Sequence, residues 1–495
     1  MNLSKSRYTK GVQCPKMLWM DEHMRELFDE SVMNEAVLKT GNEVGDLAMG
    51  YFGDYVEIGF DRENMKASIK ETQQQLAAGT PTICEATFSF DGNLCMVDIL
   101  RVAADGSVDI FEVKSSTKID DIYLHDTAYQ CWVLTNCGLS VKSVNLMHLN
   151  SKYVRQGELD LHELFVVHDI TSDVAVMQSG VATRIPLLKQ LASQLEEPEQ
   201  SIGLRCFSPY ECGYRGYCWR DMPSPNVFDI GRIGPRKGSD LMDCGIITFE
   251  DVLDNPASFS DKQLKQVITT LRDLPPYVDV EAIRDFLDTL SYPLYFLDFE
   301  TFNPAIPPFD GTWPYQQIPS QYSLHFIESK GAPLQHREFL GEEGTDPRRK
   351  LAERLCADIP PNVCTLAYYM SFEKTVIAEL ARAFPDLSAR LMNIRDNIKD
   401  LAVPFQSGDY YSKELKGSYS IKYVLPALFP DDPELSYKAL EGIHNGTEAM
   451  PAFADLPRRT PEERAVIRSQ LLAYCKLDTL AMVRIWEKLQ ELARG

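Results

Sequence analysis

Nothing in these 495 residues looks like a membrane span or an export signal. No apolar run approaches the ~18 residues that cross a bilayer. The opening stretch, MNLSKSRYTKGVQC, lacks the apolar segment of a secretory leader, so a cytoplasmic protein with no membrane partner is expected. Paired C-x2-C knuckles are missing, which excludes an ordinary zinc ribbon. There is no internal repeat, no low-complexity tract and no acidic tail. Positive charge is scarce: 50 Lys and Arg stand against 72 Asp and Glu, a formal net charge of −22. Residues 1–225 hold 20 basic and 32 acidic residues (−12), and residues 226–495 hold 30 and 40 (−10). A non-specific nucleic-acid binder is usually basic, so only a local basic groove reconciles this chain with such a partner.

What is present is the composition of a globular chain, with 44% apolar and 25% charged residues. Single cores stop growing near ~250–300 residues, so two or three domains are expected. Twelve cysteines without a leader point to a reducing compartment rather than a disulfide framework. Ser4 is a candidate N-cap for a helix running toward Cys14-Pro15, and residues 29–50 and 63–78 read as helices. The period then changes. TICEATFSF (82–90), LCMVDILRV (94–102) and SVDIFEVK (107–114) are β-rich, with the turn AADGS between the last two. A helix over 120–136, strands at 141–149 and 164–170 and a helix over 172–198 follow.

RCFSPYECGYRGYCW (205–219) is aromatic and turn-rich, and MPSPN (222–226) marks a boundary. Residues 228–290 carry a compact helical pattern, read with equal weight as a helix-hairpin-helix-like connector or as an ordinary helical linker. SYPLYFLDFET then opens a new domain with an apolar strand. Partner strands are expected at 321–327 and 337–340, a helix over 346–357, a strand at CTLAYYM (364–370), a helix over 372–384 and a long helix over 461–493.

The hairpin around Asp105-Gly106 gathers the first chemistry. With its loop centred on Asp105, residues whose numbers sum to 210 lie opposite, so Asp98 faces Glu112 across ~4.5–5.5 Å. Lys114 lies two residues beyond Glu112 on the same face. Two carboxylates hold a hard cation through oxygen, and cation plus lysine suit phosphodiester hydrolysis. A bare D…E-x-K is common on wet hairpins, but these acids interrupt strongly apolar strands. The run resembles the RecB-like branch of the PD-(D/E)XK nucleases, which has an aspartate strand, an E-V-K strand and a helix carrying glutamine. Here these are Asp98, Glu112-Val113-Lys114 and Gln130, with Glu85 as a further metal or sheet-anchoring candidate. The histidine often found in that branch's first helix is missing from the G-x-x-V-G stretch at 41–45.

Cys206, Cys212 and Cys218 recur every six residues, and Cys14-Pro15 offers a fourth thiol in a similar turn-like context. One cysteine before and three after the nuclease core resembles the iron–sulfur RecB-like nucleases. That resemblance implies a [4Fe–4S] cluster on these four cysteines, with zinc on the same ligands as the alternative.

A second constellation lies further on. Asp298 and Glu300 share one face of a buried strand, and Tyr474 and Asp478 are neighbours at i and i+4 on the last helix. Tyr369-Met370-Ser371-Phe372-Glu373 lies between them. This order resembles the tyrosine-bearing DnaQ-like 3′–5′ exonucleases, whose fold is RNase H-like. The family has aspartate at the middle motif; here Glu373 stands there, and Asp400 competes for the third metal-ligand role. Mg2+ or Mn2+ is the implied ion.

The expectation is an α/β chain of three parts. Residues 1–225 form a restriction-endonuclease-like PD-(D/E)XK domain with the cysteine site, 226–285 a helical connector, and 286–495 an RNase H-like exonuclease domain. Its expected partner is DNA with single-stranded or free ends, in repair or defence against foreign DNA. A nucleic-acid-binding scaffold with damaged sites and an RNA exonuclease are the alternatives.

Overall fold

The computed structural model describes residues 2–59 and 64–494. The chain is mixed α/β, with sheets of seven, five and two strands among the described residues. It divides into two compact units, Met1–Met222 with Pro304–Tyr315, and Pro223–Asn303 with Gln316–Gly495. The helical segment expected as a separate connector is therefore counted with the second unit. The loop Pro304–Tyr315, although it follows the first strand of the expected exonuclease domain, belongs with the first. Its anchor is Arg155, whose Nη1 donates to the carbonyls of Pro307 and Pro308, each at 3.0 Å. No described helix is long and apolar enough to cross a membrane.

In the first unit the sheet runs Val56–Glu57, Thr82–Phe90, Asn93–Val102, Val108–Lys114, Val141–Leu149, Phe165–Asp169, with Leu3–Ser4 pairing beside Asn93–Leu94. The Asp105 turn sets the central hairpin. Asp105 Oδ1 accepts from the backbone N–H and hydroxyl of Ser107 (2.9 and 2.6 Å), and Gly106 takes φ +79°, where glycine carries no Cβ penalty. The observed pairs Ile99–Phe111, Leu100–Ile110, Arg101–Asp109 and Val102–Val108 all sum to 210. Strand Val108–Lys114 then pairs in parallel with Val141–Leu149, and the helix Asp121–Asn136 makes the crossover. Both sheet faces are buried. Val97, Ile110, Val144 and Leu146 pack with Tyr129 and Val133 of that helix, while Ile99, Met147 and Leu149 fill the other side.

Two sequence expectations shift here. The helix expected over 29–50 is a short 3-10 turn (Glu30–Val32) followed by the helix Glu35–Met49. Asn34 caps that helix by accepting from Ala36 N and Val37 N, which starts it late. The helix expected from 63 is observed as Met65–Ala78; position 63 lies outside the described residues.

In the second unit the order is Gln335–Leu340, Ile318–Ile327, Leu294–Phe302, Cys364–Ala367, Ile398–Asp400. The first two pairings are antiparallel and the last two parallel, so Leu294–Phe302 is the middle strand. The closing helix Pro461–Leu492 starts at a Thr460/Glu463 capping box with Pro461 at its first position, and lies across the two central strands. It is held there by buried polar links. Gln321 Nε2 donates to Leu471 O (3.0 Å), and Thr479 Oγ1 meets Ser323 Oγ (2.6 Å) and His325 Nδ1 (2.8 Å). The strand expected over 364–370 ends at Ala367. Tyr369 turns to φ +63°, and the chain enters the helix Ser371–Ala383.

Candidate functional site

Alternation along Leu294–Phe302 decides where its acids point. Tyr295, Leu297 and Phe299 face one core, while Leu294 and Phe296 face the core that includes Ala481, Met482, Ile485 and Trp486 of the closing helix. Asp298 and Glu300 continue the second face, so they meet that helix. Asp298, Glu300 and Asp478 each offer an oxygen within 4.8 Å of the others. Cys475 donates its thiol to Asp298 Oδ2 at 3.6 Å. Asp478 accepts from Tyr437 (2.5 Å) and from the phenol of Tyr474, one helical turn before it. The backbone at Gly446 closes in on the same site: a Cβ there would stand 3.7 Å from Glu300 Oε2.

Glu373 lies in the first turn of its helix and is buried, and its Oε2 has no hydrogen-bond partner among the described residues. Its charge pushes up both Asp298 and Glu300. Asp400 does something else. Its Oδ1 accepts from Tyr369 N (3.0 Å) and Ala402 N (2.9 Å), bracing the turn that leads into the Glu373 helix. Neither Glu373 nor Asp400 joins the three mutually close acids: Glu373 acts on Asp298 and Glu300 through its charge, and Asp400 braces the Tyr369 turn.

The electrostatics are those of crowded, desolvated carboxylates. Burial, then the charges of Asp478, Glu300 and Glu373, hold the Asp298 carboxyl well above its ordinary value. Burial and then Asp478 push Glu300 up to about 8. Burial and then Asp400 take Glu373 to about 8 as well. Burial raises Asp478 to about 6, against the two phenols and Lys422, which favour its charged form. A partnerless buried carboxylate oxygen beside three converging acids fits a divalent cation held through oxygen.

The first unit assembles its acids differently. Asp98 Oδ2 accepts from Val113 N at 2.7 Å, tying the two hairpin strands together beyond the last ladder pair. Lys114 Nζ lies 2.5 Å from Glu112 Oε1 and 2.6 Å from Asp126 Oδ2, and Gln130 Nε2 donates to Glu112 Oε2 at 2.7 Å. Lys5 enters the same group, 2.8 Å from Glu112 Oε1 and 3.9 Å from both Asp98 Oδ1 and Asp126 Oδ1. Burial and the charge of Glu112 push Asp98 up to about 7, whereas Lys114 and Lys5 overcome burial and hold Glu112 well below the carboxylate range. Glu85 sits on the neighbouring strand at φ +55°, and its carboxyl is raised by burial. The oxygen of the Gln130 amide is buried and has no partner among the described residues.

The four selected cysteines line one small cavity, together with Lys16, Met17 and Arg205. Cys14 sits in extended backbone between the helices Lys5–Gln13 and Pro15–His23, with Pro15 at the first helical position. Cys212 N donates to Cys206 O at 3.0 Å, which folds the 206–212 loop back on itself. Burial raises the thiols of Cys14, Cys212 and Cys218, and nearby thiols add to each shift. Among the described residues no three of these sulfurs lie within 4.8 Å of one another.

Sequence reasoning missed three residues. Asp126 precedes Gln130 by one helical turn, and that i, i+4 signal was available. Lys5 reaches the hairpin because Leu3 and Ser4 pair with Asn93 and Leu94, a long-range match that no local pattern announces. Tyr437 comes from an irregular segment with no periodicity.

The sequence profile of a family described as a domain of unknown function, DUF2779, matches residues 295–420. That range contains Asp298, Glu300, Glu373 and Asp400 and ends before Tyr474 and Asp478. Comparison with curated proteins and with solved structures returns no match.

Proposed function

We propose that this protein is a metal-dependent nuclease with two sites, and that its second unit is an RNase H-like 3′–5′ exonuclease of the DnaQ type. The observation that carries this reading is the convergence of Asp298, Glu300 and Asp478, with the unpartnered oxygen of Glu373 beside them. A bound Mg2+ or Mn2+ would supply charge stabilisation and an activated water for phosphodiester hydrolysis. Asp298, Glu300, Glu373 and Asp478 would hold the ions. Tyr474, already hydrogen-bonded to Asp478, is placed to orient the attacking water. Asp400 positions the middle acid through the Tyr369 turn.

In the first unit, Asp98, Glu112, Lys114 and Gln130 support a PD-(D/E)XK site, with Lys114 placed to stabilise charge on a phosphate. The four cysteines would hold a [4Fe–4S] cluster tying residue 14 to the 206–218 loop. One observation favours a second reading for this unit alone. The Lys5 ammonium already lies between Glu112, Asp98 and Asp126, which suits a nucleic-acid-binding module whose acids are neutralised internally.

The test is digestion of end-labelled DNA and RNA oligonucleotides by the full chain with Mg2+ or Mn2+. Stepwise shortening from the 3′ end is expected, and Asp298→Asn should abolish it while Lys114→Ala leaves it in place. A protein that loads divalent ions yet shortens neither polymer would sink the exonuclease reading. Cleavage lost only on changing Lys114 in the Asp298→Asn background would assign a reaction to the first unit.

A further inference from the structure

The second unit has a further feature. A cavity of about 760 Å3 is walled on one side by the helical segment after residue 223, through Phe228, Arg232 and Gln266. Its other wall is formed by Tyr369, the 413–419 loop and Tyr423. That wall is tied along the chain to residues that act on the acid cluster. Tyr369 donates its backbone N–H to Asp400 and precedes Glu373 by four residues. Lys422, next to Tyr423, is the cation whose charge is felt by Glu300 and Asp478.

The lining is aromatic and cationic. Tyr369 and Tyr419 stand with ring centroids 5.3 Å apart, and the Arg232 guanidinium lies over the Tyr419 ring at 4.4 Å. The Tyr423 ring is exposed. Arg232, Lys413 and Lys416 face Asp229 and Glu414, a local balance of +3 − 2 = +1 in a chain of −22. Asp229 already accepts from Asn226 N at 2.8 Å, and Lys413 is paired with Asp273, so among the described lining residues Arg232, over Tyr419, and Lys416 are the cations without a carboxylate partner.

The cavity is also built rather than incidental. Buried Gln266 accepts from Gly231 N (2.8 Å) and donates to Asp229 O (2.8 Å), which fixes one wall. A Cβ on Gly231 would meet Gly417 O at 2.2 Å, and one on Gly417, at φ +71°, would meet Gln266 Oε1 at 2.2 Å. Two glycines and one glutamine therefore weld the walls at a distance no side chain would permit.

We infer that this cavity is a groove for single-stranded nucleic acid, in which bases stack on the tyrosine rings and Arg232 and Lys416 contact the backbone. Aromatic platforms beside cations recognise any base through its π face, and so bind strands without reading sequence. The groove feeds the chain end toward Asp298, Glu300, Glu373 and Asp478. The inference deepens the exonuclease reading of that site and rests on it for the direction of feeding.

The test uses the full-length protein in EDTA, so that binding is read without cleavage. Fluorescent dT12 and U12 are titrated by anisotropy at two salt concentrations, with unlabelled dTMP as competitor. Arg232→Ala combined with Tyr419→Ala should weaken binding at least about tenfold, as loss of a stacking platform and a phosphate contact does. Tyr423→Ala, at an exposed ring, should weaken it about fivefold without threatening the fold, and decides the matter if the double variant does not fold. The DNA and RNA arms rank the two polymers. Variant affinities equal to wild type, no binding by wild type, or dTMP binding as tightly as the 12-mer would each overturn the groove. A wild type that binds through these residues but digests nothing with Mg2+ or Mn2+ keeps the groove and removes the exonuclease reading. Digestion by wild type with unaltered binding by the variants does the reverse.

Discussion

The two acidic clusters of this protein are neutralised in opposite ways. In the first unit two ammonium groups, those of Lys5 and Lys114, sit on a single oxygen of Glu112. In the second, three carboxyls converge with the charge of Glu373 acting on two of them, and among the described residues the cation acting on Glu300 and Asp478 is Lys422. Glu112 is accordingly held below the ordinary carboxylate range, although burial and the charge of Glu112 still raise its neighbours Asp98 and Asp126, while Asp298, Glu300, Glu373 and Asp478 are all held above it. Desolvation acts on every one of them, so burial does not explain the difference; the supply of positive charge does. A cluster that carries its own cations can rest without a metal. A cluster that must take up protons instead is poised to exchange them for a divalent ion.

The largest effect should come from cutting the second cluster. Asp298→Asn should lower metal-dependent digestion about 10³-fold, because ~4 kcal/mol of charge stabilisation changes a rate tenfold per ~1.4 kcal/mol. Glu373→Gln should approach that loss, and Asp400→Asn should cost far less, since Asp400 acts only through the Tyr369 turn. Equal losses from the two would erase the distinction between ligand and brace.

Stability should separate the clusters with opposite signs. Lys5→Ala removes a cation from buried Glu112 and should destabilise the first unit by roughly 1–3 kcal/mol, less than a fully buried pair because a quarter of the Lys5 side chain stays exposed. Asp298→Asn removes like-charge crowding, so in EDTA it should stabilise the second unit by about 1 kcal/mol, or roughly 2–4 °C in melting temperature. Differential scanning calorimetry reads both. A destabilised Asp298→Asn in EDTA would break the comparison.

Acidity gives a smaller and graded contrast. Glu300 and Glu373 keep their protons in the fold up to about pH 8, and Asp478 up to about 6, whereas unfolded carboxyls release theirs near ~4. Between those values the folded state binds more protons than the unfolded chain, so the second unit loses stability as pH rises from about 5 to 8. Added Mn2+ should reverse that trend by displacing the protons. Glu112 runs the other way: its contribution is present above ~4.3 and is lost only as pH falls below that value. Separately, Cys212→Ala should bleach a brown protein and lower the melting temperature of the first unit. Iron loss with an unchanged melt would deny the cysteine site its stapling role.

Much of this was legible from local pattern. The Asp105-Gly106 turn fixed the 210 register, and strand alternation placed Asp298 and Glu300 on one face, because both signals act over a few residues. Residues brought in from afar were not legible. Lys5 depends on a two-residue parallel pairing 90 positions away, since Leu3 meets Asn93. Tyr437 arrives on an irregular loop. The Asp400 contact was hidden too, because the strand stops three residues early at Ala367, where a left-handed Tyr369 redirects the chain and donates to the Asp400 carboxylate. The docking of Pro304–Tyr315 with the first unit was equally invisible, because it rests on backbone carbonyls answering one arginine.

Calorimetric titration of Mn2+ into the metal-free full chain at pH 7.5, repeated on four variants, tests the contrast between the clusters most directly. Wild type and Asp400→Asn should bind the ion with proton release, Glu373→Gln should bind it more weakly, and Asp298→Asn should lose the site. Mn2+ binding left undiminished by Asp298→Asn and abolished by Asp98→Asn would confine the cation site to the first unit and contradict the assignment.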